Sequence, residues 1–311
     1  MGFDLEALQE AVKIHGRVTR VVIAAIKGSS PREVGTAMLV WADGQSGTIG
    51  GGTLEHQAAL AARAQSVPMR LTHHALGPDM GQCCGGAVSL LSEVYDQHAL
   101  DALDQTVIAR APSGGDIPLS VKRLLAAARA QGIAPEPQLI DGWMVEPVHK
   151  PTRQLWVWGA GHVGRALVDV LAPLPDLAIT WVDTGPERFP TQIPASVTPI
   201  PTPKPAALVQ HAPPEAEHLV LTYSHNLDLE LCNHLLTHGF GFAGLIGSAT
   251  KWARFRSRLT ALGHSPERIR QITCPIGDPG LGKHPQMIAI GVAAQLLRPA
   301  WQNELKKDQS A

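Results

Sequence analysis

Cysteine is scarce, with four residues in 311. That is too few for a disulfide framework and points to a reducing compartment. Neither sign of charge is in excess: 26 Lys and Arg face 27 Asp and Glu, for a formal net charge of −1. So neutral a chain is no general nucleic-acid or membrane-surface binder. Long apolar runs are missing too; none approaches the ~20 residues that a spanning helix needs. Met1-Gly2-Phe3-Asp4-Leu5-Glu6 is acidic and has no apolar core of a signal peptide, and Glu6 stands where a myristoylation signal needs Ser or Thr. The expectation is a cytoplasmic protein with no nucleic-acid and no membrane partner. No repeat stands out at periods of 20–50 residues, which excludes solenoids and propellers.

Hydrophobic residues make up 44% of the chain, enough for packed cores, and the length suggests two domains. The first half mixes strands and helices without a strand–helix–strand rhythm. Leu5, Leu8 and Val12 have helical spacing, Val18 to Ile26 and Thr36 to Trp41 read as strands, and Thr53 reads as the N-cap of an Ala-rich helix. Strands at Met69–Ala75 and Val88–Tyr95 flank a glycine-rich loop, and a helix is expected over 116–132. Pro135, Pro137, Pro147 and Pro151 then break all periodicity. These features divide the chain into an N-terminal domain over 1–135, a linker over 136–153 and a C-terminal domain over 154–311.

The C-terminal part alternates strands and helices, which predicts a doubly wound parallel sheet of the Rossmann type. The fold class is thus α/β, with this sheet joined to a smaller mixed α/β domain. Gly159-Ala160-Gly161-His162-Val163-Gly164 follows a strand and opens a helix, and Asp183 closes the next strand. Gly159 permits the tight turn, Gly161 lets a phosphate approach the backbone, and Gly164 lets helix and strand pack closely. The helix N-terminus offers free N–H groups, and Asp183 could accept a ribose-like hydroxyl. His162 faces the phosphate position or merely caps the helix.

Ligands in such sheets sit beyond the carboxyl ends of the strands. That rule gathers Gly161, His162 and Asp183 with Ser224-His225 and with Gly247-Ser248. Lys251, one turn into the following helix, would be a cation beside a second anion site. Ser224 and Ser248 also read as helix N-caps. Cys232 falls on the apolar face of its helix and reads as core.

Two glycine loops mark the first half. Gly50-Gly51-Gly52 could wrap N–H groups around an anion. Gly81-Gln82-Cys83-Cys84-Gly85-Gly86 holds two vicinal cysteines between glycines, which leaves the thiols sterically open. Adjacent cysteines form a disulfide only with strain, and no CxxC pairs suggest zinc. An accessible thiolate that meets a soft metal or carries sulfur is the sharper reading, with Cys83 and Cys84 both open candidates. Arg32, in Gly28-Ser29-Ser30-Pro31-Arg32, could grip a phosphate bidentately.

These strings, with Tyr223-Ser224-His225-Asn226-Leu227-Asp228, Gly244-Leu245-Ile246-Gly247-Ser248-Ala249-Thr250-Lys251 and Thr273-Cys274-Pro275-Ile276-Gly277, resemble the XdhC family of xanthine dehydrogenase accessory proteins, related to CoxI. The likeness runs from about residue 18 to 297; only the GxGxxG string is generic. It implies an N-terminal XdhC/CoxI-type domain, a C-terminal Rossmann domain and no catalytic residues. It also implies a chaperone that binds the molybdenum cofactor, a molybdopterin, assists its sulfuration by a cysteine desulfurase, and delivers it to apo-xanthine dehydrogenase. Molybdenum-cofactor biosynthesis proteins would be further partners, and a homodimer fits the family. The implied cofactor-binding set is Arg32, Gly51, Gly52, Cys83, Cys84, Gly159, Gly161, His162, Gly164, Asp183, Ser224, His225, Gly247, Ser248 and Lys251, with Cys83 or Cys84 meeting the metal end. Two alternatives compete. One is an NAD(P)-dependent oxidoreductase, for which His225 is the acid–base candidate. The other is a zinc or redox-sensing regulator built on a Rossmann domain.

Overall fold

The computed structural model describes residues 2–77, 85–103, 106–112, 114–174 and 176–298. The chain divides into two compact units, Met1–Lys150 and Pro151–Ala311.

In the first unit, helix α1 (Leu5–His15) starts where the Asp4 carboxylate accepts the Ala7 N–H at 2.9 Å, and stops at Gly16 in a positive-φ conformation. Its face of Leu5, Leu8 and Val12 is buried. Strand β1 (Val18–Lys27) is the centre of an antiparallel sheet that also holds β2 (Ala37–Val40), β3 (Gln45–Gly47), β4 (Met69–Ala75) and β5 (Ala87–Tyr95), in the order β3-β2-β1-β5-β4. Both faces of β1 are covered. Val21 and Ile23 pack beneath helix α2 (Gly52–Arg63), while Val22 and Ala24 pack against Leu91 and Met144. That explains the unbroken β-branched run, since a strand buried on both faces does not alternate.

The expected linker 136–153 is instead structured. After α3 (Gln97–Asp101), β6 (Val107–Arg110) and α4 (Leu119–Gln131), strands β7 (Gln138–Ile140) and β8 (Trp143–Pro147) form a second antiparallel sheet in the order β6-β8-β7. The turn between them is Asp141-Gly142, both at positive φ, which is the two-residue hairpin connection that Asp-Gly favours. The prolines that suggested a linker sit at the strand ends, where no ladder N–H is needed.

The second unit is a parallel sheet of β9 (Arg153–Trp158), β10 (Leu177–Asp183), β11 (Val197–Pro201), β12 (Glu217–Val220), β13 (Phe242–Leu245) and β14 (Ile272–Thr273), in the order β11-β10-β9-β12-β13-β14. Helices α5 (His162–Leu171) and α9 (Pro285–Leu297) close one face around Leu155, Val157 and Leu219. Helices α6 (His225–His238) and α7 (Ala249–Ala261), with the single-turn α8 (Pro266–Ile269), close the other around Trp158, Val220 and Leu245. The Pro-rich stretch yields the edge strand β11 and a 3₁₀ turn over Pro205–His211, and an edge is where a strand tolerates proline. The strand order reverses between β9 and β12, and this is where such sheets open a crevice. Among the described residues no helix is long and apolar enough to cross a membrane.

Candidate functional site

At the reversal in the second unit, the loop after β9 behaves as its glycines dictate. A Cβ on Gly159 would lie 2.5 Å from the Leu221 carbonyl oxygen, and one on Gly164 would lie 2.0 Å from that of Gly159. Both positions are closed to any side chain. Gly161 is the N-cap of α5 and has no heavy atom within 4 Å of a built Cβ, so the space on that side of the loop is open. His162 is the first helical residue and is exposed; the cap is Gly161, not His162.

Asp183 does something other than its motif position suggests. Its carboxylate is buried and turned into the loop. Oδ2 accepts the Ala160 N–H at 2.6 Å, and Oδ1 accepts the Thr184 N–H at 2.6 Å and the Thr184 hydroxyl at 3.1 Å. Arg188 Nε adds a long contact of 3.4 Å. The group braces the glycine loop rather than extending toward a ribose.

Lys251 is likewise no free cation. Its ammonium donates to Asp228 Oδ2 at 2.6 Å and to the Ile246 carbonyl at 2.9 Å. Asp228 is fully buried, and its Oδ1 accepts the Thr222 N–H at 2.9 Å and the Thr222 hydroxyl at 2.7 Å. The pair therefore ties the end of β12 to α6 and α7. Ser224 and Ser248 cap those helices, accepting from Leu227 N–H at 3.4 Å and Lys251 N–H at 3.2 Å. His225 is exposed at the first position of α6. Gly247 lies against the Lys251 stem and the Cys274 sulfur, which a Cβ would approach to 2.8 Å and 3.4 Å. Cys274 is half-buried, and burial pushes its thiol up to about 11. Cys232 is fully buried and its thiol is raised further by burial and by Asp228. Neither is an activated nucleophile.

In the first unit three loops meet at one end of the five-stranded sheet. Gly28 and Ser29 pack on Gly85 and Gly86: a Cβ on Gly86 would lie 2.2 Å from the Ser29 carbonyl. Pro31 and Arg32 pack on Gly50, whose Cβ would lie 2.8 Å from Pro31 Cγ. The anion nest expected at Gly51 and Gly52 is already occupied in part, by Glu55. Its Oε2 accepts the N–H groups of Ile49 at 2.9 Å and Gly51 at 3.0 Å, and the Thr48 hydroxyl at 2.5 Å. Burial alone would raise the Glu55 carboxyl, but the hydrogen bonds from Thr48, Gly51, Ile49 and Gln45 outweigh it and hold it below the usual carboxylate range. The N-cap of α2 is Gly51, not Thr53. Arg32 has an exposed side chain beside this loop. Cys83 and Cys84 lie outside the described residues.

Several residues escaped the motif reading. Asp228 continues the buried stripe Leu231, Cys232, Leu235, so a charge on an apolar helical face was its signal. Arg20 and Glu93 place charges on strands that are otherwise mostly apolar. With Arg110 and Glu146 they form a buried quartet: Arg20 donates to Glu146 at 2.8 and 3.0 Å and to Glu93 at 3.2 Å, and Arg110 bridges both carboxylates. Phe3 stacks under Arg20, with 4.2 Å between the guanidinium carbon and the ring centroid. The two arginines hold the Glu146 carboxyl low against the burial that would raise it. Among the described residues no cluster of His, Cys, Asp and Glu could hold a metal ion.

Against known proteins, residues 12–69 match the family model described as the XdhC and CoxI family, and residues 155–296 match the one described as the XdhC Rossmann domain. The uncharacterized protein YqeB of Escherichia coli K12 is 28% identical over 304 residues, which is 93% of this chain and 45% of YqeB. The chain thus spans less than half the length of that relative. A crystal structure from Bacillus halodurans, described as a xanthine dehydrogenase, matches with a TM-score of 0.68 at 21% identity over 95% of both chains, which is a likeness of fold.

Proposed function

The chain belongs to the XdhC family, and from that premise we propose that it serves the maturation of xanthine dehydrogenase as a carrier of the molybdenum cofactor. The observation that carries the reading is the pair of family matches, one in each compact unit and in the family's order. In this reading the protein acts in the cytoplasm as an accessory protein. It receives the molybdopterin, holds it during sulfuration by a cysteine desulfurase, and hands it to the apo-enzyme.

The residues of the second unit fit an anionic end of such a cargo. Gly161, the N-cap of α5, is open on its Cβ side, and the N–H groups and partial positive charge of the helix N-terminus suit a phosphate. Ser224 and Ser248 keep α6 and α7 starting at the same edge of the sheet. Lys251 neutralises Asp228, so the floor of the crevice holds no net charge from that pair. In the first unit the Glu55 carboxylate already takes the Ile49 and Gly51 N–H groups of the glycine loop, so that loop offers fewer free donors to an anion. By its chemistry, Cys83 or Cys84 is a thiol suited to a soft metal or to carrying sulfur. The oxidoreductase alternative loses its ribose-binding carboxylate, because Asp183 is committed to the loop.

The test is co-expression of xanthine dehydrogenase with and without this chain. More active enzyme per enzyme purified is expected in its presence, with higher molybdenum content. Equal activity and equal metal loading in both would overturn the reading.

A further inference from the structure

The loop after β9 is bridged from above by its two neighbours. Arg188 ends a short 3₁₀ turn, Pro186–Arg188, that follows β10. Tyr223 follows β12, on the other side of β9 in the sheet. Their side chains meet across the loop: the Arg188 guanidinium carbon lies 4.7 Å from the Tyr223 ring centroid, within the range of a cation–π contact. Arg165, in the first turn of α5, fixes this arrangement from below. Its Nε donates to the Ala160 carbonyl at 3.0 Å and its Nη2 to the Arg188 carbonyl at 2.8 Å.

Two features of the pair point to a ligand. Tyr223 is 67% exposed, a large ring left open to solvent at the carboxyl end of the sheet. Arg188 uses only Nε, toward Asp183 at 3.4 Å; its two Nη nitrogens have no hydrogen-bond partner among the described residues. The outer fork of a guanidinium, partly desolvated at 34% exposure and pinned at its base, is preorganised for bidentate contact with a phosphate. The flat ring beside it is a stacking surface for a planar heterocycle. Where a dinucleotide fold commonly offers a free carboxylate to a ribose diol, this chain offers a guanidinium over a carboxylate already consumed.

We propose that Arg188 and Tyr223 form a recognition element for a ligand that carries both a phosphate and a flat heterocycle, and that it rejects the same ligand without its phosphate. The inference rests on the carrier reading for the identity of the heterocycle, a pterin, and deepens it by naming the residues that select the phosphorylated form. Arg188 takes the phosphate through its Nη nitrogens, and Tyr223 stacks on the ring.

Neopterin monophosphate and neopterin, titrated into the full chain by pterin fluorescence, differ only in the phosphate. The phosphorylated form is expected to bind roughly ten- to hundredfold tighter, the net worth of a charge-assisted contact after desolvation of the phosphate. Arg188→Ala should abolish that preference. Arg188→Lys, which keeps the charge but not the fork, should keep only a small part of it. Tyr223→Ala should weaken both ligands, and Tyr223→Phe should restore them. Equal binding of the two pterins, or a preference unchanged in both Arg188 variants, would overturn the proposal. Activation of xanthine dehydrogenase, read separately on wild-type chain, distinguishes the two failures. Activation without phosphate preference sinks the recognition element alone. An Arg188-dependent preference without activation sinks the carrier reading and leaves the element standing.

Discussion

Asp228 and Lys251 make a buried ion pair, with side chains 1% and 11% exposed. Removing one partner leaves an uncompensated buried charge, which typically costs about 3–5 kcal/mol. Asp228→Ala should therefore lower unfolding stability in urea by roughly 3 kcal/mol, and adding Lys251→Met should recover part of the loss. A single variant as stable as the wild type would show that the pair is not buried in solution. His218 is another residue whose burial has a measurable consequence. It lies fully buried on β12, between β9 and β13; its Nδ1 accepts the Trp158 indole N–H at 3.2 Å, and burial, helped by His238, depresses it to about 3. Its folded value lies below its unfolded value of 6.5. Between those values the unfolded chain binds a proton that the folded chain refuses, so stability falls as the pH drops from 6.5 toward 3 and is level above 6.5. His218→Asn keeps an acceptor for Trp158 and should flatten that decline in urea unfolding at pH 7.5 against pH 5. An identical decline in both proteins would contradict this assignment.

Within the element β9–loop–α5, one motif contains two glycines of opposite kind. Gly164 holds helix against strand with no room for a methyl group, whereas Gly161 faces open space at an ordinary φ of −74°. Gly164→Ala should cost about 1–3 kcal/mol by overpacking, or more if α5 cannot shift. Gly161→Ala should leave stability within about 0.5 kcal/mol and weaken ligand binding. The reverse pattern, measured by thermal unfolding and pterin titration, would mean that the ligand does not sit on the open side of the loop. This element was legible in the sequence because glycine spacing reports backbone closeness directly. Asp183 marks the limit of the same signal: its position in the motif is legible, but its hydrogen bond from the Ala160 N–H is a tertiary choice that spacing does not encode. The β7–β8 hairpin was missed because four prolines outweighed the Asp141-Gly142 turn signal, although those prolines only bound the strands.

Over the whole molecule, periodicity revealed the parallel sheet of the second unit almost strand by strand. A parallel strand buried on both faces gives a short apolar run, and turns and helices alternate with it in order. The antiparallel sheets of the first unit were less legible, because their pairing is non-local and rests partly on charges buried far apart in sequence, Arg20 with Glu146 above all. The candidate site followed the same division. The glycine loops and the Ser224 and Ser248 caps could be read in advance. The partner that neutralises Lys251 could not, since Asp228 and Lys251 are 23 residues apart and no spacing rule links them. The family matches span both units, and the proposed carriage of a molybdopterin is open to direct test. The most direct measurement is anaerobic. Purified protein is mixed with released molybdenum cofactor, desalted, and assayed for retained pterin as its fluorescent oxidation product, with NADH as a parallel ligand. Near-stoichiometric pterin with no saturable NADH binding is the expected result; no retained pterin together with saturable NADH binding would contradict it.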